Sequence, residues 1–321
     1  MSFEFTSPST IDDAMQLWNE RAQWYAGGTD LVPEMKMGLA TPARLVNLKQ
    51  ISEMRGITRA SEGLRIGALS TLTEIAENMF VRERYPALAQ ACELSASPQL
   101  RNVATIGGNL NQDSRCAYFR GAFPCWLKGG TTCYARGGEN REAAIVGYGE
   151  CVHVHPSDPA NALVALDAKI IVRGENGMRE IAAGEFIKPP TAYNKRLNFL
   201  EPNELIVNYQ LPLSNNSRSA FLKAMDRATW TFAMASAAVR LEFANGKISD
   251  ARIVVGGVAP FPWREHEAEG VLRGHSLSEE VAARAAGLCL RDAQPLAHNG
   301  YKVRLARALV KRAIMQLGKT D

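Results

Sequence analysis

The 321-residue chain has no long hydrophobic run. No stretch approaches the roughly 18 consecutive apolar residues that a membrane-spanning helix needs, so no membrane span is expected. Its first residues, Met1-Ser2-Phe3-Glu4-Phe5-Thr6, lack a basic segment leading into an apolar one, so no secretory signal is expected. Charge of one sign is scarce too: 37 Lys+Arg against 33 Asp+Glu leave an excess of +4, too small to argue for a nucleic-acid partner. The Gly-x-Gly-x-x-Gly fingerprint of a Rossmann site is missing, and the terminal Gly318-Lys319-Thr320 has no upstream glycine at P-loop spacing and reads as a frayed end. No Ser/His/Asp or Cys/His pairing and no distinctive carboxylate pair stands out, so no catalytic residue is assigned and the chain reads as a cofactor carrier. A composition of 46% hydrophobic and 22% charged residues excludes a disordered or collagen-like chain, and the length predicts two domains.

What is present starts with cysteine. Cys92 and Cys289 stand alone, while Cys116, Cys125, Cys133 and Cys151 fall close together in a window that also holds seven of the 26 glycines. Without an export signal the chain is expected in the cytoplasm, where structural disulfides are rare and clustered thiols read as metal ligands. Thiolates select zinc or iron–sulfur clusters. The tight Cys-x-x-Cys knuckle of structural zinc is missing, whereas iron–sulfur ligands vary more in spacing. On spacing alone iron–sulfur, zinc and free thiols all stay open. Arg115, Arg120, Lys128, Arg136 and Arg141 could offset a cluster's charge or simply face water. His153 and His155 could join Cys151 in a zinc site, but lining a loop is the preferred reading, with Asp158 as the cap of the helix that follows.

Periodicity gives a mixed α/β first half: a helix at 10–18, strands near 24–26, 43–48 and 64–68, a helix starting at Thr73, and another over 85–101. Residues 113–152 read as an irregular insertion, a poor fold by itself unless something ties it together. A helix then starts at Ser157-Asp158-Pro159 and a strand at Lys169–Arg173. Leu213-Ser214-Asn215-Asn216-Ser217-Arg218 is the best domain boundary. Beyond it, strands at 219–225, 237–243 and 251–255 precede helices near 278–291 and 301–317, an α+β pattern. The last helix carries Lys302, Arg304, Arg307, Lys311 and Arg312, the pattern of a membrane- or partner-binding face, although core packing is the commoner use.

Two glycine pairs, Ala26-Gly27-Gly28-Thr29-Asp30-Leu31 and Ala104-Thr105-Ile106-Gly107-Gly108-Asn109-Leu110, suggest a pyrophosphate gripped from both sides by backbone amides; the alternative is two unrelated tight turns.

These motifs, in this order, resemble the FAD-binding (medium, or β) subunit of the molybdenum hydroxylases, such as xanthine dehydrogenase and carbon monoxide dehydrogenase, over essentially the whole chain. The resemblance implies an α+β fold. Its first part is an FAD-binding domain of the vanillyl-alcohol-oxidase (PCMH) type at 1–213, in subdomains of about 1–56 and 57–213. A C-terminal α+β domain of the CO dehydrogenase flavoprotein type follows at 218–321. It implies FAD contacts from Ala26, Gly27, Gly28, Thr29, Asp30 and Leu31, from Thr105, Ile106, Gly107, Gly108 and Asn109, and from Asp158, Ile206 and Lys223, the last within a Lys-x-x-x-Arg element ending at Arg227. The insertion at 113–152 resembles the extra loop of the 4-hydroxybenzoyl-CoA reductase β subunit, which implies a [4Fe-4S] cluster on Cys116, Cys125, Cys133 and Cys151. The family further implies that a large molybdenum-cofactor subunit and a small [2Fe-2S] subunit do the substrate chemistry with this chain. A ferredoxin or NAD would be the external electron partner. A cytoplasmic location is expected unless a partner's signal carries the assembly to the periplasm. The rival readings are a free-standing FAD oxidase and a zinc-stapled nucleotide-binding or scaffold protein.

Overall fold

The computed structural model describes residues 2–213 and 216–318. Ser214 and Asn215 of the expected boundary, and Lys319 and Thr320 of the expected frayed end, lie outside the described residues.

The chain opens with a parallel sheet of β1 (Glu4–Thr6), β2 (Ala22–Tyr25) and β3 (Arg44–Asn47), in the order β1-β3-β2. Parallel strands need crossovers, and the first is the helix Ile11–Leu17. Thr10 caps it by accepting from the Asp13 amide, and Ile11 and Ala14 turn inward. Next comes an antiparallel sheet of β4 (Ile57–Ala60), β5 (Gly63–Gly67), β6 (Lys169–Gly174), β7 (Gly177–Ala182) and β8 (Leu205–Pro212), in the order β4-β5-β8-β6-β7. The helices Leu72–Glu77, Pro86–Glu93 and Asp158–Ala165 share its core; Thr71 and Glu74 form a capping box on the first.

The last sheet contains β9 (Ser217–Ala224), β10 (Ala235–Ala244), β11 (Lys247–Gly256) and β12 (Trp263–Arg264), in the order β12-β11-β10-β9. Both of its faces are covered. Phe221, Ala238 and Val254 pack into the core of the first part. Ala237, Val239, Ile253 and Val255 meet the helices His266–Leu272, Glu279–Leu288 and Tyr301–Gln316. A doubly covered strand loses polar alternation, as the unbroken burial of Ala235–Leu241 shows.

Two local expectations need correction. The helix expected over 85–101 stops at Glu93; Ala96 adopts a positive φ of 49°, and Ser97 caps a new short helix, Pro98–Arg101. Asp158 is not the cap of its helix, because the Ser157 hydroxyl accepts from the Ala160 amide at 3.1 Å. The final helix packs its apolar stripe (Ala306, Leu309, Val310, Ala313 and Ile314) into the core, the commoner of the two uses its pattern allows. No helix among the described residues is long and apolar enough to cross a membrane.

The insertion holds one short helix, Ala117–Arg120, and two 3-10 turns, Trp126–Lys128 and Tyr134–Arg136. Its later portion is stitched to the C-terminal helices. Ile145 and Val146 are buried in their core and donate to the Val258 carbonyl at 2.8 and 3.2 Å. The buried Asn299 amide donates to the carbonyls of Ala143 and Ala144 at 3.1 and 3.2 Å, and its oxygen accepts from Leu296 N–H at 2.7 Å. Lys302 is 1% exposed and donates to the carbonyls of Glu142 and Gly257, both at 2.8 Å; burial pushes its ammonium down to about 7.

Replacing Asn299 by Ala strands one amide and two carbonyls. The expected loss is about 2–3 kcal/mol, because buried polar groups left unpaired cost their desolvation. Urea denaturation of the variant measures it, and a midpoint equal to the parent's would show that the insertion is held elsewhere.

Candidate functional site

The two glycine loops touch. A Cβ on Gly27 would stand 2.3 Å from the Val103 carbonyl oxygen, so the first loop can lie against the residues that lead into the second only as glycine. Gly28 adopts a φ of 70°. The second loop is fixed from the sheet side: Leu72 N–H donates to Ala104, Ile106 N–H to Ser70 and Gly107 N–H to Ala68. Thr105 caps the short helix Ile106–Leu110 by accepting from Gly108 N–H at 3.2 Å. A Cβ on Gly108, unlike one on Gly27, would meet only the Thr105 hydroxyl oxygen, at 3.1 Å. Among the described residues no protein acceptor faces the amides of Gly27, Gly28 or Thr29. The loops bound a cavity of about 440 Å³.

Of the residues singled out from sequence, Ala26, Gly27, Gly28, Thr29, Asp30, Leu31, Thr105, Gly107, Gly108 and Ile206 line this cavity. Ile106 does not; it is fully buried in the core behind. Asn109 does not either, since its side chain accepts from the Ser157 hydroxyl at 2.6 Å. Asp158 lines a second cavity of about 590 Å³, and Lys223 lines neither. These last two pair with each other. Lys223 Nζ donates to Asp158 Oδ2 at 2.7 Å and to the carbonyls of Leu94 and Thr231 at 2.9 and 3.0 Å, so all three of its protons are used. Burial raises the Asp158 carboxyl, and Lys223 opposes that rise.

The sequence reading missed Trp18, Trp24, Asn111, Asn198 and Leu200, which line the first cavity. Trp24 Nε1 donates to the Glu204 carbonyl at 3.0 Å, and Arg179 clamps the Glu204 carboxylate with two bonds of 2.6 Å. Glu201 and Pro202 line the same wall, and the Glu201-Pro202-Asn203 sequence carries a turn signal but nothing that marks a binding wall.

A charged network joins the first glycine loop to the cysteine insertion. Asp30 Oδ1 pairs with Arg120 at 2.8 Å and Arg115 at 2.9 Å, and Asp30 Oδ2 accepts from the Asp113 amide at 2.8 Å. Glu34 stands 3.1 Å from Arg120. Burial, with Asp113 and Asp30 beside it, pushes the Glu34 carboxyl up to about 7, and burial raises Asp113 as well.

The four insertion cysteines form one neighbourhood. Cys151 shares a hydrogen bond with Cys133, and Cys116 lies within electrostatic reach of Cys125, Cys133 and Cys151. Backbone groups of Tyr118 and Phe119 favour the thiolate of Cys116; those of Val152, Ala135 and Arg136 favour that of Cys133. Cys133 falls to about 6, chiefly through the bond from Cys151. No disulfide joins them. Among the described residues no three His, Cys, Asp or Glu side chains gather closely enough around one point to hold a single metal ion. His153 and His155 are buried and line the second cavity, as the loop-lining reading expected; burial pushes them down to about 4 and about 3.

Residues 1–214 match the family profile described as the FAD binding domain in molybdopterin dehydrogenase, and residues 220–317 match the CO dehydrogenase flavoprotein C-terminal domain. The chain belongs to that family. It is 35% identical over 290 residues to the aldehyde oxidoreductase FAD-binding subunit PaoB of Escherichia coli, covering 89% of this chain and 88% of that one. It is 27% identical to the carbon monoxide dehydrogenase medium chain of Hydrogenophaga pseudoflava, covering 97% and 96%. Among solved structures, reconstituted CO dehydrogenase from Oligotropha carboxidovorans superposes with a TM-score of 0.79 at 26% identity, covering 99% of this chain and 98% of the other. As a molybdopterin-dehydrogenase FAD-binding subunit, the chain has the α+β architecture expected from its sequence and is an oxidoreductase component.

Exchanging Lys223 for Met leaves Asp158 buried and unpaired. The expected loss is about 3–5 kcal/mol, the usual cost of breaking a buried pair from one side. Adding Asp158→Asn should restore part of it. Denaturation midpoints of the single and double variants check this, and equal midpoints would remove the pair from the stability of the fold.

Proposed function

We propose that the chain carries FAD and a four-iron cluster and conducts electrons within a molybdenum-dependent assembly. The observation that carries this reading is the Asp30 network, which ties the cysteine insertion directly to the glycine-lined cavity. Two electron-carrying sites anchored to one carboxylate are what a relay needs.

The residues fit FAD. Gly27, Gly28 and Thr29 turn amides without protein acceptors toward the first cavity, the arrangement that grips a pyrophosphate. Gly107 and Gly108 would close on it from the other side, and Ile206 would give an apolar contact. Asp158 and Lys223 act indirectly in this reading, by holding the Ser157–Asn109 contact behind the second loop. Bound there, FAD supplies a junction between one-electron and two-electron carriers.

The donor set also fits an iron–sulfur cube. The four thiols act on one another, and backbone groups favour thiolate at Cys116, Cys133 and Cys151. A cube presents its iron corners to four separate thiolates, and the insertion brings four cysteines into one neighbourhood.

The large partner would be a molybdenum-cofactor subunit and the small one a [2Fe-2S] subunit, with a ferredoxin or NAD beyond the cluster. The 35% identity to an aldehyde oxidoreductase subunit supports an aldehyde as the substrate class of the assembly. A free-standing FAD oxidase has less support, because the chain matches subunits along nearly its full length.

Iron, sulfide and flavin analysis of the purified chain tests the reading; about four irons and one FAD per chain are expected. Cys125→Ser should lower iron severalfold and leave FAD near its parental content. Stoichiometric zinc in place of iron and sulfide would sink the proposal.

Gly108→Ala separates binding from folding. Its Cβ meets little protein, so stability should change by no more than about 1 kcal/mol, the ordinary effect of a glycine–alanine exchange in a helix. FAD affinity should fall at least about tenfold if the pyrophosphate lies against it, a loss of about 1.4 kcal/mol. Fluorescence titration with FAD reads the second number, and an unchanged affinity would move the cofactor elsewhere.

A further inference from the structure

The network beside the first glycine loop does not balance in charge. Asp30, Glu34 and Asp113 supply three carboxyl groups, and Arg115 and Arg120 supply two guanidinium groups. The charged groups that act on Glu34 are Asp113, Asp30, Arg120 and Arg115, and Arg196 lines the same cavity. Asp30 takes both arginines at hydrogen-bond distance, which leaves Glu34 and Asp113 to share what remains. Each is within electrostatic reach of the other. Two buried carboxylates side by side repel, so the pair favours holding one proton between them over holding none. Glu34 is 7% exposed, and its Oε1 has no aligned hydrogen-bond donor even though Arg120 is near.

All three carboxyl groups line the same cavity as Gly27, Gly28, Gly107 and Gly108. The inference below rests on the FAD reading of that cavity. A pyrophosphate diester arrives with two negative charges that do not titrate near neutrality. Its field raises the proton affinity of carboxyls on the same wall.

We infer that Glu34 and Asp113 form a one-proton carboxyl pair that couples FAD binding to proton uptake. The pair keeps the network neutral when protonated and admits the anionic cofactor without adding a third uncompensated charge to the wall. No bond of the cofactor is made or broken: one solvent proton joins a carboxylate oxygen of the pair as the pyrophosphate enters.

The sign can be read from the direction of the Glu34 displacement. Burial and the neighbouring carboxyls push Glu34 up to about 7, so the pair of the flavin-free chain is only partly protonated near neutrality. Uptake is then a fraction of a proton per FAD at neutral pH, should rise as the pH is raised above that value and should fade as the pH falls below it, where Glu34 is already protonated.

The test is calorimetric titration of FAD into the flavin-free full-length chain, in phosphate and in Tris at equal pH. The difference in heat between these buffers gives protons taken up per FAD bound. The parent should show the uptake and its pH course; Glu34→Gln should lower it at least fivefold per FAD bound. Asp113→Asn should lower it too, and serves if the first variant does not fold. Tight FAD binding with identical heats in both buffers overturns the pair and leaves the cofactor cradle standing. Unchanged uptake in the folded variants overturns it as well, and no FAD binding to the parent overturns both.

Discussion

An irregular chain segment cannot satisfy its own backbone, and that constraint governs how this molecule is assembled. Residues 113–152 make almost no regular structure, yet parts of the segment, such as Trp126, Leu127 and Ala144–Val146, are buried. Buried amides and carbonyls must find partners somewhere. Some find them within the segment, and others on distant elements: Asp30 for the Asp113 amide, Asn299 for the carbonyls of Ala143 and Ala144, and Lys302 for that of Glu142. Each of these side chains reaches from a distant part of the sequence. The cysteines are therefore held in register with the glycine loops on one side and with the C-terminal helices on the other.

The glycine loops show how one residue type serves two physical ends. Gly27 is required by packing, because its Cα touches the backbone before the second loop; Gly108 faces nearly open space, so its lack of a side chain matters to whatever enters the cavity. Sequence alone displayed both pairs and could not divide these roles, since the division depends on Val103 lying against Gly27. The same limit explains the rest of what was and was not legible. Helices with strong caps, such as those begun by Thr10 and Ser157, were readable from a few residues. The edge strand β7 was not, because four of its six residues are exposed and carry no alternation worth reading. Nor could Ile145 and Val146 announce that they belong to the core of the last domain, as their partners Val258 and Gln294 lie more than a hundred residues away. In the site, contiguous loops were legible and the wall built from Trp24, Asn198 and Leu200 was not, for the same reason.

Charged residues in this fold are mostly occupied with one another. Asp158 and Lys223, cofactor contacts in the family resemblance, form in the structure a buried pair whose hydrogen bonds are internal to the protein. A lone buried charge would be expensive, and pairing removes most of that cost. Asp158 follows Ser157, whose hydroxyl donates to Asn109 at the end of the second loop.

The basic residues of the insertion follow the same logic, and this bears on how a cluster would be tuned. Arg115 and Arg120 are taken by Asp30 and Glu34, Lys128 by the Gly121 carbonyl, Arg136 by the carbonyls of Gly149 and Glu150, and Arg141 by Asp226. Each of the five is engaged in holding the loop. What faces the sulfurs instead is backbone, around Cys116 and Cys133 in particular. Hydrogen bonds to sulfur and exclusion of water are among the factors that set an iron–sulfur potential. In this loop the main chain supplies hydrogen bonds to Cys116, Cys133 and Cys151, while side chains hold the loop against the glycine-lined cavity through Asp30. Placement is carried by side chains and the surroundings of the sulfurs by backbone.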